Sequence, residues 1–525
     1  MKALGFRNRR HIVVLVALFL LSLLICAERY HTFNEPPERD LGSYAVVAHE
    51  MLAGRALYAD IFDQKPPAIY LSYAAAELVG GYTTQSNALL GLIVSLIVLP
   101  GVFLAGSATR GGATYGLLAA ALWAIVCSDM MLEANEANTE IFMNAALIWV
   151  FALLVRAEKR LLTGREAIVV GLLAVLSTLY KPVVVVIPGM LLAVYVVFPP
   201  GGATQRRGAL ANALTVAGII AAVWLLIAAF FAAQGQFAAF YYAMVTYNRT
   251  YSGSLLHNVG LGLTRKLVNR HMLFLLPLLG STVVLGGIRI RQQGDRRWLL
   301  FMAYCLGTVI AVALPGRFYP HYYQLWLPVV ACGFGWMVDA IRQWRRPQTV
   351  RFAAAVASLA LLFCCGIEAY SYRLTSVEWS YQKYGKGFVD TEKLAHALNE
   401  VLLPNETIYD ACVEPELYLL TRRRPISGIF YSVPMWAGPE AEVNMRRVLN
   451  DLNHHPPDLV VMRRGADQYA LSTSFEDTSY MVPPTIMQWI NQHYAQAPQL
   501  NTFRGFVVFA RRDSPIEARL SSQLD

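Results

Sequence analysis

Apolar residues fill the first 370 positions in long blocks, separated by short polar stretches. A bilayer's hydrocarbon core takes about 20 apolar residues of helix, fewer where flanking side chains snorkel. Eleven blocks answer to that length: 11–27, 86–108, 112–127, 139–156, 166–180, 182–199, 209–233, 271–288, 298–315, 322–340 and 351–369. The weakest are 112–127 and the pair on either side of Lys181-Pro182. Beyond 370 the apolar runs shorten to strand length, as in "TIYDACV" (407–413), "DLVVMRR" (458–464) and "GFVVFARR" (505–512). They alternate with helix-compatible "TEKLAHALNEVL" and "AEVNMRRVLNDL" and with Pro-rich turns. The pattern predicts a transmembrane module over 1–370 and a small α/β domain over 371–525, long enough for a core of its own. No internal repeat or low-complexity segment is present. Lys2, Arg7, Arg9 and Arg10 ahead of the first block resemble a signal peptide, but Ile25-Cys26-Ala27 is a poor cleavage site, so a retained first helix is expected.

Composition agrees with the pattern. Of 525 residues 56% are hydrophobic and 15% charged, against about 25% charged in soluble domains. The net charge of +9 does not point to nucleic acid, because Lys and Arg sit in short clusters between apolar blocks. These are the N-terminus, Arg110, 156–160 with Arg165, 205–207, 289–297 and 342–351. With eleven spans and a cytoplasmic N-terminus, all of them fall on the cytoplasmic side. Loops 28–85, 128–138, 234–270 and 315–321 then lie outside with the C-terminal domain. The seven cysteines show neither CxxC nor metal-ligand spacing, so they imply no disulfide framework.

Four outer features carry chemistry. In "ERDLGSYAVVAHEMLAGRALYADIFDQKPPAIYL" (38–71) Glu38, Arg39 and Asp40 precede a helical pattern containing Tyr44, expected to lie along the membrane surface. Asp40 is either a general base for an acceptor hydroxyl or amine or the cap of that helix, with Arg39 pairing nearby. Pro66-Pro67 predicts a second helix start, leaving Lys65 just ahead of an N-terminus that favours an anion such as phosphate, or snorkelling to headgroups. In "EANEANTEIF", Glu133, Glu136 and Glu140 recur at three- and four-residue spacing, as a site or as a polar ladder at a helix mouth. In "PGRFYPHYYQLWLP" (315–328), aromatic residues suit a membrane-interface belt, which by itself does not require Arg317 and His321; Arg317 suits bidentate phosphate binding. Arg249, with Arg265, Lys266 and Arg270, adds a basic group in loop 234–270.

These segments, in this order, resemble the membrane-embedded C-type glycosyltransferases (GT-C fold), nearest the protein O-mannosyltransferases and the lipid A aminoarabinose transferase. The resemblance covers most of 1–370 and is strongest in the first loop, where an acidic residue is followed some 25 positions later by Lys-Pro-Pro. It implies a polytopic helical membrane protein of about eleven spans, with a periplasmic α/β domain, in the bacterial inner (plasma) membrane. It implies inverting transfer of a sugar from a polyprenyl-phosphate donor to a lipid, glycan or protein acceptor. Asp40 would be the base, Lys65 and Arg317 the donor-phosphate ligands with His321 nearby, and Glu136 or Glu140 the second acidic site. The O-mannosyltransferases carry a tandem Asp-Glu where this chain has Glu38-Arg39-Asp40, which speaks against a protein acceptor, and the tail does not read as a sugar-binding barrel, which favours the bacterial lipid- or glycan-modifying branch. A divalent metal could assist, but no ligand set in the sequence specifies one. The alternative from another class is a transporter or flippase of lipid-linked sugars, which would place polar residues near the bilayer midplane; here they gather at the outer rim.

Overall fold

The computed structural model describes residues 2–343, 347–436, 438–464, 481–500 and 505–522; positions 344–346 of the basic cluster at 342–351 lie outside them. Each of the eleven expected spans falls on a helix. Among the described residues eight helices are long and apolar enough to cross a membrane: His11–His31, Thr84–Gly106, Thr139–Arg156, Ala203–Ala233, Arg270–Gln293, Arg296–Ala313, Pro320–Arg342 and Gln348–Ser371. The three weakest blocks are shorter helices, Ala113–Val126, Gly164–Thr178 and Pro182–Val197. The last opens with a 3-10 turn, Pro182–Val185, because a proline after Lys181 forbids a continuous helix. Several long helices leave large apolar side chains uncovered, Leu225 and Leu226 each 69% exposed, as lipid-facing helices do. The chain is a multi-pass membrane protein.

It divides into two compact units. The first comprises 1–33, 88–227 and 252–375. Its centre is the Leu327–Arg342 helix, buried over nearly its whole length and packed on Ala113–Val126. The two approach closely because small residues meet: a Cβ on Gly335 would run into the Tyr115 carbonyl. Around them Phe151, Tyr304, Trp298, Phe301 and Trp336 form an aromatic cluster with ring centroids 5.0–5.9 Å apart.

The second unit comprises 34–87, 228–251 and 376–525. It holds a four-stranded sheet, β1 (Ile408–Asp410), β2 (Leu459–Arg463), β3 (Tyr494–Gln496) and β4 (Phe506–Arg511), in the order β1-β2-β4-β3. β1 pairs with β2 in parallel and the other pairs are antiparallel, with Val460 opposite Phe509. Leu459 to Met462 are buried on both faces, which is why β2 is a continuous apolar run rather than an alternating one. Three of these strands coincide with the runs picked out in the sequence; β3 does not.

The Arg39–Leu52 helix departs from expectation. Its apolar positions Tyr44 to Ala48 are buried, and it packs on Pro67–Gly80 and Glu416–Thr421. Its apolar face meets protein, not the membrane surface, because the C-terminal part of the chain supplies a matching apolar helix.

Candidate active site

The first-loop motif is built from the helix start. Glu38 is the N-cap, its carboxylate accepting from the Asp40 and Leu41 N–H groups at 2.9 and 3.1 Å. Asp40 is therefore not the cap. It occupies the first helical turn, where the Lys65 ammonium lies 3.9 Å away and the Tyr44 hydroxyl 3.4 Å away. Lys65 also stands 5.8 Å from the centre of the Tyr44 ring. Asp40 keeps about a third of its side chain accessible (35%) while Lys65 is largely enclosed (15%), so the carboxylate is the member of the pair open to an incoming group. Arg39 turns to the C-terminal segment: its Nε donates to the Val413 carbonyl at 2.8 Å and its guanidinium lies 3.9 Å from Glu414.

A second carboxylate stands beside this pair. Asp63 is buried, accepts from the Gln64 N–H at 2.6 Å and from the Tyr431 hydroxyl at 3.4 Å. Burial pushes its carboxyl up, the Lys65 charge pulls it back, and Asp40 adds to the rise. No motif marks Asp63 in the sequence; its one signal is position, two residues before Lys65 in "DIFDQK".

The first unit holds Glu133, Glu136, Glu140, Arg317 and His321. Asn138 caps the Thr139–Arg156 helix and Glu140 sits in its first turn. Glu140 is buried, paired with the Lys181 ammonium at 2.9 Å and accepting from the Thr139 hydroxyl at 2.9 Å. Lys181 lies 3.4 Å from the centre of the Tyr322 ring. In the sequence Lys181 reads only as a break between spans; its pairing partner is 41 residues away. His321 Nδ1 lies 2.9 Å from Glu133. Glu133 adopts φ 57°, a left-handed conformation, and the Gln324 amide holds the turn by donating to the Leu132 and Glu133 carbonyls at 3.1 and 2.9 Å. The three glutamates are thus not one helical ladder. Glu133 and the buried Glu136 belong to the turn before Asn138, and only Glu140 is helical. Arg317, half-buried, lies between Gly316 (φ 74°) and Phe318 (φ 54°), ahead of the Pro320–Trp326 3-10 helix that carries His321.

The basic group of loop 234–270 is divided between the two units. Arg249 belongs to the second unit, while Arg265, Lys266 and Arg270 belong to the first, and all four are exposed. Among the described residues no three His, Cys, Asp or Glu side chains are grouped to hold a metal ion.

No protein-family model matches the chain, and no curated protein sequence matches it. Solved structures do match its fold. ArnT from Cupriavidus metallidurans bound to undecaprenyl phosphate superimposes with a TM-score of 0.57, over 97% of this chain and 98% of that one, at 14% identity. ArnT in the apo state gives 0.56 over the same shares at 16% identity. The Archaeoglobus fulgidus oligosaccharyltransferase, in complex with Zn and sulfate, gives 0.53 over 94% of this chain and 73% of that one at 13% identity. ArnT, a lipid A aminoarabinose transferase, and the oligosaccharyltransferase are both members of the C-type glycosyltransferase superfamily. This chain has their fold: a largely helical membrane body with a small C-terminal sheet domain, as the order of its motifs implied.

Proposed function

We propose that the protein is an inverting glycosyltransferase that moves a sugar from a polyprenyl-phosphate donor to a lipid, glycan or protein acceptor at the outer face of the bacterial inner membrane. One observation carries the reading: a partly accessible Asp40 stands 3.9 Å from an enclosed Lys65, in a chain with the fold of an enzyme solved with undecaprenyl phosphate. In the proposed step Asp40 accepts the proton of the acceptor hydroxyl or amine as that atom bonds to the anomeric carbon. The bond from that carbon to the phosphate oxygen breaks, and polyprenyl phosphate leaves with the electron pair. Lys65 stabilises the charge that develops on the phosphate, and its fixed place beside Asp40 orients the two substrates. Arg317 and His321 keep the phosphate-binding roles that the motif resemblance implies, and Glu136 and Glu140 the second acidic site. In this reading residues 1–370 are the catalytic module with its N-terminus in the cytoplasm, and 371–525 are a periplasmic domain.

The test is a panel of radiolabelled polyprenyl-phosphate sugars incubated with purified full-length protein and membrane extract. Label should move to an acceptor, and Asp40→Asn should abolish the movement while leaving expression and thermal unfolding unchanged. Full transfer by Asp40→Asn would remove the base assignment. Passage of intact donor across vesicles, with no transfer, would favour a carrier instead.

A further inference from the structure

Lys65 sits where the neighbouring sequence does little to fix it. Two prolines follow, confining its backbone to extended conformations and offering no N–H of their own. The Pro67–Gly80 helix starts without a side-chain cap. The backbone is held instead by side chains drawn from three places in the same unit. The Lys65 N–H donates to the Tyr70 hydroxyl at 3.1 Å, and the Tyr58 hydroxyl donates to the Lys65 carbonyl at 2.8 Å. The Asn248 amide donates to the Gln64 carbonyl at 2.9 Å.

Each of these side chains is itself constrained. Tyr58 is buried at φ 69°, a left-handed conformation that a bulky residue keeps only when its surroundings enforce it. Burial, and after it the Asp63 charge, pushes the Tyr58 and Tyr70 phenols up, so both hydroxyls hold their protons. Asn248 follows the six-residue π-helix Tyr242–Tyr247, a rare geometry that recurs at functional sites. Its second amide hydrogen goes to the Ala243 carbonyl at 2.7 Å, so one side chain ties the wide turn to the Lys65 loop. A lysine's ammonium rides on four flexible carbons, and a fixed backbone narrows where it can reach.

We infer that Tyr58, Tyr70 and Asn248 are positioning residues that lock the Gln64–Lys65 backbone and so aim the Lys65 ammonium at the donor phosphate. The inference rests on the reading of Lys65 given above. Tyr58→Phe and Tyr70→Phe each remove one oxygen and little volume. They should weaken donor binding while kcat at saturating donor changes less.

The test measures binding of undecaprenyl phosphate to the purified full-length protein, together with its thermal unfolding. Lys65→Ala should weaken binding about ten-fold or more, and Tyr58→Phe, Tyr70→Phe and Asn248→Ala each about three- to ten-fold, the effect of losing the hydrogen bond each makes to the Gln64–Lys65 backbone. In a Lys65→Ala background Tyr58→Phe should cost nothing more, because the hydroxyl acts through that lysine. If Lys65→Ala weakens binding but the three variants bind like the parent, the positioning inference falls and the role of Lys65 stands. Positioning is equally overturned, with Lys65 keeping its role, if Tyr58→Phe adds its full loss to that of Lys65→Ala. If Lys65→Ala itself binds like the parent, the phosphate role of Lys65 fails and the inference falls with it.

Discussion

Replacing Gly42 by alanine sets two levels of structure against each other. Gly42 lies inside the Arg39–Leu52 helix, where alanine is favoured over glycine by about 1 kcal/mol. Judged from the helix alone, Gly42→Ala stabilises. In the folded unit, however, a Cβ there meets the Glu416 backbone nitrogen, Cα and Cβ at 2.6, 2.7 and 2.9 Å. Glu416 is fully buried at the start of its own helix, so its backbone has no room to retreat. Bringing the nearest atom from 2.6 Å out to 3.4 Å, where ordinary contact begins, needs a shift of about 0.8 Å. Overpacking of this kind costs about 1–3 kcal/mol, and with the helix gain of about 1 kcal/mol set against it the expected balance is destabilising by up to about 2 kcal/mol. The same shift would move Asp40, half a turn away, off its 3.9 Å approach to Lys65. Intrinsic fluorescence of the purified full chain in detergent should show a melting temperature lower by up to about 6 °C, with reduced transfer in the radiolabel assay. A variant that melts at or above the parent temperature would refute the reasoning, since it would mean the helix does not pack this closely on Glu416.

Three further outcomes follow from the structure. Arg424→Ala removes a two-pronged contact to buried Glu50, whose carboxylate accepts from Arg424 at 2.8 and 2.7 Å and lies 3.0 Å from Arg55. The loss should cost about 1–3 kcal/mol in denaturant unfolding, with Arg424→Lys restoring only part of it; an unchanged midpoint would contradict this. Burial, with the neighbouring Glu414 charge, pushes Asp410 up to about 7, above an unfolded value of about 4. Its contribution to stability is then fully present at low pH and lost as pH rises through about 7. Glu414 has the opposite sign: burial raises it, but Arg463 and Arg39 prevail and leave it lowered, so its contribution is lost only in acid below the ordinary carboxylate range. The second unit should therefore melt lower at about pH 8 than at about pH 5.5, and Asp410→Asn should flatten that slope. A melting temperature that climbs over this interval would show that another group dominates. Arg317→Ala should raise the donor KM by about ten-fold or more with a smaller change in kcat, as loss of a phosphate contact does; an unaltered KM would free Arg317 from that role.

Local chemistry was legible where a signal is confined to a few neighbouring residues. The apolar blocks marked every span as helix, and Pro66-Pro67 marked the start of Pro67–Gly80. The three-and-four spacing of Glu133, Glu136 and Glu140 misled, because Asn138 caps the following helix and leaves the first two glutamates in a turn. Capping also decided Asp40: Glu38 satisfies the first N–H groups of its helix, which leaves Asp40 available to Lys65. Asp63 and Lys181 carried no pattern of their own, since what distinguishes them is the partner they meet in three dimensions.

The sequence by itself determined that the chain is a multi-pass membrane protein with a small α/β tail. Hydrophobic length and periodicity are properties of consecutive residues, and lipid enforces them without reference to the rest of the fold. Only the tertiary structure decided which charges pair and what holds them. Arg39 reaches the Val413 carbonyl across 374 positions, Arg424 reaches Glu50 across the same interval, and Asn248 steadies the Lys65 loop from 184 positions away. Burial leaves such groups no water to turn to, so each must find a partner in whatever segment the fold brings beside it, and no local pattern records that choice.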